Sequence, residues 1–203
     1  MAVALLAGLV LSGCGDSGET IIPAAGVTEI TGPYRPEPYR AFDPAIIASV
    51  EDECRTANGG GLLIPPAASL VLADARGGGR LYLMFRGAKG ETGECSATMD
   101  ATGRITIEGG GSGSGEDVPG PGPLELGSSS GMSSSGGPEG SWSAQAGSVG
   151  SEVGGVVIEL GDGTRIVATT AGGRYAAWWP GEQQPTKILV YDRSGDFVRE
   201  QPW

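Results

Sequence analysis

The chain of 203 residues contains no histidine. That single absence excludes Ser-His-Asp and Cys-His nucleophilic sites and the HExxH zinc site. Only three cysteines occur, and two of them without histidine cannot fill a tetrahedral zinc site unless carboxylates help. Basic residues are scarce. None lies between Arg104 and Arg165, a span that holds eight acidic ones, and the net charge is −11. No basic patch exists to release counterions from nucleic acid, so nucleic acid is excluded as a partner. There is no P-loop: Gly109 to Gly115 is rich in glycine but lacks the GK[ST] ending and a following helix. The sequence implies neither cofactor nor metal. Asp192-Arg193-Ser194-Gly195-Asp196 spaces oxygens as a calcium loop begins. However, Phe197 stands where such a loop needs glycine and Trp203 where it needs glutamate, so the segment reads as a hairpin turn.

Long apolar runs are also missing. Ala2 to Leu11 is Ala, Val and Leu with one Gly, too short to span a bilayer, which needs about 20 apolar residues. It has the length of a signal-peptide core. It ends in Leu11-Ser12-Gly13-Cys14, which resembles the lipobox of bacterial lipoproteins. That resemblance implies cleavage before Cys14, diacylglycerol on its thiol, and a protein anchored to a membrane outside the cytoplasm. Lipid on Cys14 accounts for the odd cysteine. Cys54 and Cys95 then remain as a pair in an oxidising compartment, where a disulfide persists; two buried free thiols are the alternative.

Residues 1–13 therefore read as a signal peptide and 14–42 as an extended tether, with Pro23, Pro33, Pro36 and Pro38 opposing helix. Asp43-Pro44 is a helix start, a capping carboxylate before a proline suited to the first helical position. Ile46, Ile47, Val50 and Cys54 recur at helical spacing. Short strands follow within 43–108, at Ser69 to Ala73, Leu81 to Phe85, Cys95 to Met99 and Arg104 to Glu108. A bond from Cys54 to Cys95 would staple the helix to this first β module. Of the 32 residues in 109–140, 24 are Gly, Ser or Pro, a composition expected to stay a flexible, disordered linker or insertion. A second β module spans 141–203, with strands at Val156 to Leu160, Arg165 to Thr170, Arg174 to Trp179, Lys187 to Tyr191 and Asp196 to Arg199. The chain is expected to be mainly β, an antiparallel sheet, sandwich or partial barrel with one N-terminal α-helix. The two modules are expected to pack as one domain. Three D-x-x-G stretches, beginning at Asp74, Asp100 and Asp192, fit type I turns followed by a positive-φ glycine.

Tyr175, Trp178 and Trp179 are the candidate binding residues. On a strand Tyr175 and Trp179 share one face and Trp178 takes the other, so one tryptophan is free to be a stacking platform unless both faces are covered. The stretches "VVIELGDGTRIVAT", "YAAWWPG" and "ILVYDRSGD" make the C-terminal part similar to a family of uncharacterised exported lipoproteins of actinobacteria and related bacteria. The similarity implies export and no particular activity. The functional expectation is a lipid-anchored, non-enzymatic binding or structural module of the cell envelope, with an envelope protein or glycan as partner. The rival expectations are an extracytoplasmic sensory domain acting through a partner protein, and a hydrolase working with carboxylates alone.

Overall fold

A computed structural model describes residues 43–56, 64–65, 67–76, 79–113, 120–137 and 140–203. The expected signal peptide (1–13), Cys14 and the expected tether (14–42) lie outside the described residues. Helix α1 spans Pro44–Thr56. It starts where the capping signal sets it: the Ala45 amide donates to the Asp43 carboxylate at 2.8 Å, satisfying one of the helix's free donors. Val50 and Cys54 are buried, with Ile46 and Ile47 packed beside them. Arg55 closes the last turn. It pairs with Glu51 at 2.7 Å, donates to the Ala68 carbonyl at 2.6 Å and lies over the Phe85 ring at 5.0 Å.

Among the described residues twelve strands follow, in three four-stranded antiparallel sheets. The first sheet is a meander of β1 (Ser69–Arg76), β2 (Arg80–Arg86), β3 (Thr92–Met99) and β4 (Ile105–Gly113). The remaining strands are β5 (Leu126–Gly137), β6 (Gly140–Val149), β7 (Val153–Leu160), β8 (Arg165–Val167), β9 (Thr169–Ala171), β10 (Arg174–Pro180), β11 (Pro185–Asp192) and β12 (Phe197–Pro202). They alternate between a middle sheet, ordered β5-β6-β10-β9, and a last sheet, ordered β12-β11-β7-β8. The expected strand at Arg165 to Thr170 is thus two strands in two sheets, parted at the buried Ala168.

Three apolar layers hold the stack together. Leu81, Leu83, Phe85, Cys95 and Ala97 pack on α1. Leu72, Tyr82 and Met84, on the opposite face of the first sheet, meet Trp142, Ala144, Ala146, Ala176 and Trp178 of the middle sheet. Tyr175, Ala177 and Trp179 leave the far face of the middle sheet to meet Val156, Ile158, Ile188 and Val190 of the last. The layer order is helix, sheet, sheet, sheet. Cys54 and Cys95 are bonded, fully buried at the helix–sheet layer.

The segment expected to be a disordered linker is largely strand. Its first residues complete β4, and β5 pairs with β6 from Leu126↔Val149 to Gly137↔Gly140. Residues 120–125 are pinned as well, since the Gly150 amide donates to the Glu125 carbonyl and the Glu152 amide to the Pro123 carbonyl, both at 2.8 Å. Composition counts the apolar area a segment can bury. Here the ordering comes from main-chain pairing against β6, a strand that is itself buried. Residues 114–119 and 138–139 of that segment are outside the described set.

Two of the three expected D-x-x-G turns form. The Asp100 carboxylate accepts from the Thr102 and Arg104 amides, and that of Asp192 from the Ser194 and Asp196 amides. Gly103 and Gly195 then take φ of 83° and 88°. Asp74 departs from the expectation: it is fully buried inside β1, opposite Tyr82. The β9–β10 hairpin has a further role. Gly172 turns at φ 56°, and a Cβ there would lie 3.0 Å from the Val71 side chain. Val71 stands at an irregularity in the β1–β2 register, so this hairpin docks on the bulged edge of the first sheet.

The disulfide closes a loop with a sequence separation of 41 residues, which the chain-entropy relation values at no more than about 4 kcal/mol. Urea unfolding of the Cys54→Ala/Cys95→Ala double variant is expected to show a loss of that order, with the slope of the transition altered by the freed denatured chain. Intact mass with and without reductant checks the bond directly, since two alkylatable thiols in the untreated protein would rule it out.

Candidate functional site

Strand alternation sorts the side chains between the first and middle sheets. On β2, Arg80, Tyr82, Met84 and Arg86 face the middle sheet. Met84 is opposite Glu94 on β3, and Arg86 is opposite Thr92, so Glu94 and Thr92 share that face. On β10, Arg174, Ala176 and Trp178 face the first sheet. The centre of this interface is apolar, and charged groups stand at its two ends.

One end is closed. Arg80 is 5% exposed. Its guanidinium lies 4.6 Å from the Trp142 ring centre and 5.5 Å from that of Trp178, and it is ion-paired with Glu108. The register explains how Glu108 reaches it. Ser96 pairs with Gly109 and Ala97 with Ile107, leaving Glu108 as the extra residue of a bulge in β4. Charge, stacking and burial are all matched here, and the arrangement is structural.

The other end is open. A cleft of about 310 Å³ is lined there by Thr92, Glu94, Ser112, Ser128, Gly147 and Arg174 among others. Its walls are the edge strands of two sheets, β4 and β5. Glu94 is held from both sides: the Tyr82 hydroxyl donates to one carboxylate oxygen at 2.6 Å and the Ser130 hydroxyl to the other at 3.0 Å. Burial, followed by the charge of Glu94, pushes the Tyr82 phenol far above its usual range. Tyr82 therefore stays a neutral donor to Glu94. Arg174 is half-buried. Desolvation, and then the charge of Arg86, lower its pKa, while Glu94 acts in the opposite direction. Two guanidiniums thus face one carboxylate, and none of the ion pairs among the described residues includes Arg174.

The candidate residues read from the sequence are placed elsewhere. Trp178 is 6% exposed, Trp179 1% and Tyr175 fully buried. Trp178 fills the layer between the first and middle sheets, and Tyr175 and Trp179 the layer between the middle and last. The Trp179 indole nitrogen donates to the Gln183 carbonyl at 2.9 Å. None of the three is a stacking platform, because the middle sheet is covered on both faces. Arg174 and Glu94 were overlooked. The signal for Arg174 was its spacing: two and four residues before Ala176 and Trp178, it is a charged group on a face otherwise given to core. For Glu94 it was a lone charge on a strand beside a half-cystine.

Comparison with protein-family models, curated proteins and solved structures finds no match. Among the described residues no group of His, Cys, Asp and Glu is arranged to hold a metal ion.

Trp178→Ala and Trp179→Ala are expected to lower stability by roughly 3–5 kcal/mol each, the cost of emptying a buried aromatic site. Thermal and urea unfolding of each variant measures this. Glu108→Gln, which leaves the Arg80 guanidinium buried without its counter-charge, is expected to cost about 2 kcal/mol. A variant of either tryptophan that kept wild-type stability would show that ring to be outside the core.

Proposed function

We propose that this chain is a non-enzymatic binding module of the cell envelope, exported and held to the membrane by lipid on Cys14, with an envelope protein or glycan as its partner. The observation that carries this reading is the Cys54–Cys95 bond. Structural disulfides persist in oxidising compartments and are rare in the cytosol, which agrees with a lipobox cysteine in the same chain. The contact surface in this reading is the open cleft between the first and middle sheets, and the tryptophans serve as the scaffold beneath it. Glu94, the cleft's carboxylate, is held by two hydroxyls and faces guanidiniums, an arrangement suited to recognition. Hydrolysis by paired carboxylates, the enzymatic rival, calls for a second carboxyl across the cleft.

Metabolic labelling with a fatty-acid probe tests the anchor. The wild type is expected to take up label and the Cys14→Ser variant to take up none; equal labelling of both would remove lipid from the proposal. The contact is tested with a photoreactive residue in intact cells. Placed at Ser129, beside the cleft, it is expected to crosslink to an envelope component. Placed at Glu182, beyond the opposite end of β10, it is expected not to. The same products from both positions would argue against the cleft.

A further inference from the structure

Resting on the binding role proposed for the cleft, we infer that it captures the C-terminal carboxylate of an extended peptide, gripped by the Arg174 guanidinium with Arg86 beside it. The two ends of one interface make the case by contrast. Arg80 is stacked, paired and enclosed. Arg174, six residues away on β10 from Pro180 and at the opposite end of the same layer, has a like-charged neighbour and no ion pair among the described residues. Glu94 acts on it by charge but forms no ion pair with it, its oxygens being held by the Tyr82 and Ser130 hydroxyls. Within the lining Arg174 and Glu94 balance in charge, and the exposed Arg86, acting on Arg174 from outside the lining, tips the local balance to positive in a molecule whose net charge is −11. A guanidinium fork presents parallel donors that match a carboxylate bidentately.

Size and charge narrow the ligand. A volume of about 310 Å³ corresponds to roughly ten water-sized groups, enough for a terminal residue and the peptide group before it. A monoanion suits the site better than a phosphate dianion, which would meet Glu94 at close range and the acidic field of the whole chain. The walls favour a peptide. Gly111–Gly113 of β4 and Ser128–Ser130 of β5 belong to strands that end their sheets, and an extended chain can pair with such main-chain edges. Thr92, Ser112 and Ser128 add side-chain hydroxyls to the lining.

The test uses the full ¹⁵N-labelled chain carrying Cys14→Ser, titrated with N-acetyl-alanyl-alanine, with the same dipeptide as its C-terminal amide, and with glucuronate. The free acid is expected to shift the amide signals of Gly111–Gly113 and Ser128–Ser130, and the amide form to leave them in place. Arg174→Gln is expected to weaken the acid by about tenfold or more while its thermal midpoint stays near the wild type. Arg174→Lys, which keeps the charge and loses the fork, is expected to fall between the two. Equal shifts from acid and amide, or undiminished acid binding by Arg174→Gln, would overturn the carboxylate inference and leave the cleft's binding role standing. Shifts from glucuronate alone would overturn the peptide assignment. No response at the cleft to any of the three would overturn the inference outright, whereas the envelope location stands or falls on the Cys14 label.

Discussion

Strand β10 carries bulky side chains in both directions, and a strand of that kind needs a sheet against each of its faces. Tyr175 and Trp179 go one way and Trp178 the other. Neither face can be left to water without exposing an indole or a phenol ring, so the middle sheet has to be covered twice. The requirement extends to its neighbour β6. Trp178 lies opposite Ala144, Tyr175 opposite Gly147 and Trp179 opposite Ser143, so each large ring stands beside a small residue. A Cβ on Gly147 would come within 2.6 Å of the Tyr175 ring. The small residues of β6 are what make room for the aromatics of β10.

That constraint also explains what could be read from the sequence and what could not. The start of the helix was legible, because Asp43 and Pro44 encode it by local hydrogen bonding. The strands rich in Val, Ile and Leu were legible through their periodicity, and the cysteine pair through parity and compartment. β5 was not. Its Gly and Ser residues carry no hydrophobic pattern, and its order comes from pairing with β6, the strand that follows it in the chain. The exposure of Trp178 was undecidable for a related reason. Alternation says that the two indoles point apart, but whether both directions are covered depends on a sheet contributed by residues 69–113. The buried Asp74 misled because a turn motif read locally ignores the strand running through it.

The interface between the first and middle sheets shows how one pattern of alternation produces two different ends. A bulge in β4 delivers Glu108 to Arg80, and two aromatic rings complete the enclosure. At the far end the sheet edges consist of glycine and serine, the walls are too small to close, and an arginine is left facing another arginine. The contrast arises from side-chain size: large rings seal one end, and their absence leaves the other open to solvent. Electrostatic imbalance survives only where water can reach it, which is why the unmatched charge sits at the lip and the matched one in the core.

The placement of the disulfide sets a load path. A pull on the chain ahead of Asp43 reaches α1 first, and the helix can unwind only as far as Cys54. There the tension crosses the sulfur bridge to Cys95, at the centre of the first sheet. The backbone between the two half-cystines, which includes all of β1 and β2, is bypassed by this covalent path. Those strands also carry Leu72, Tyr82 and Met84, the first sheet's grip on the middle one. A protein so built can be tugged from its N-terminal side while the strands that join its layers stay off the covalent line of pull.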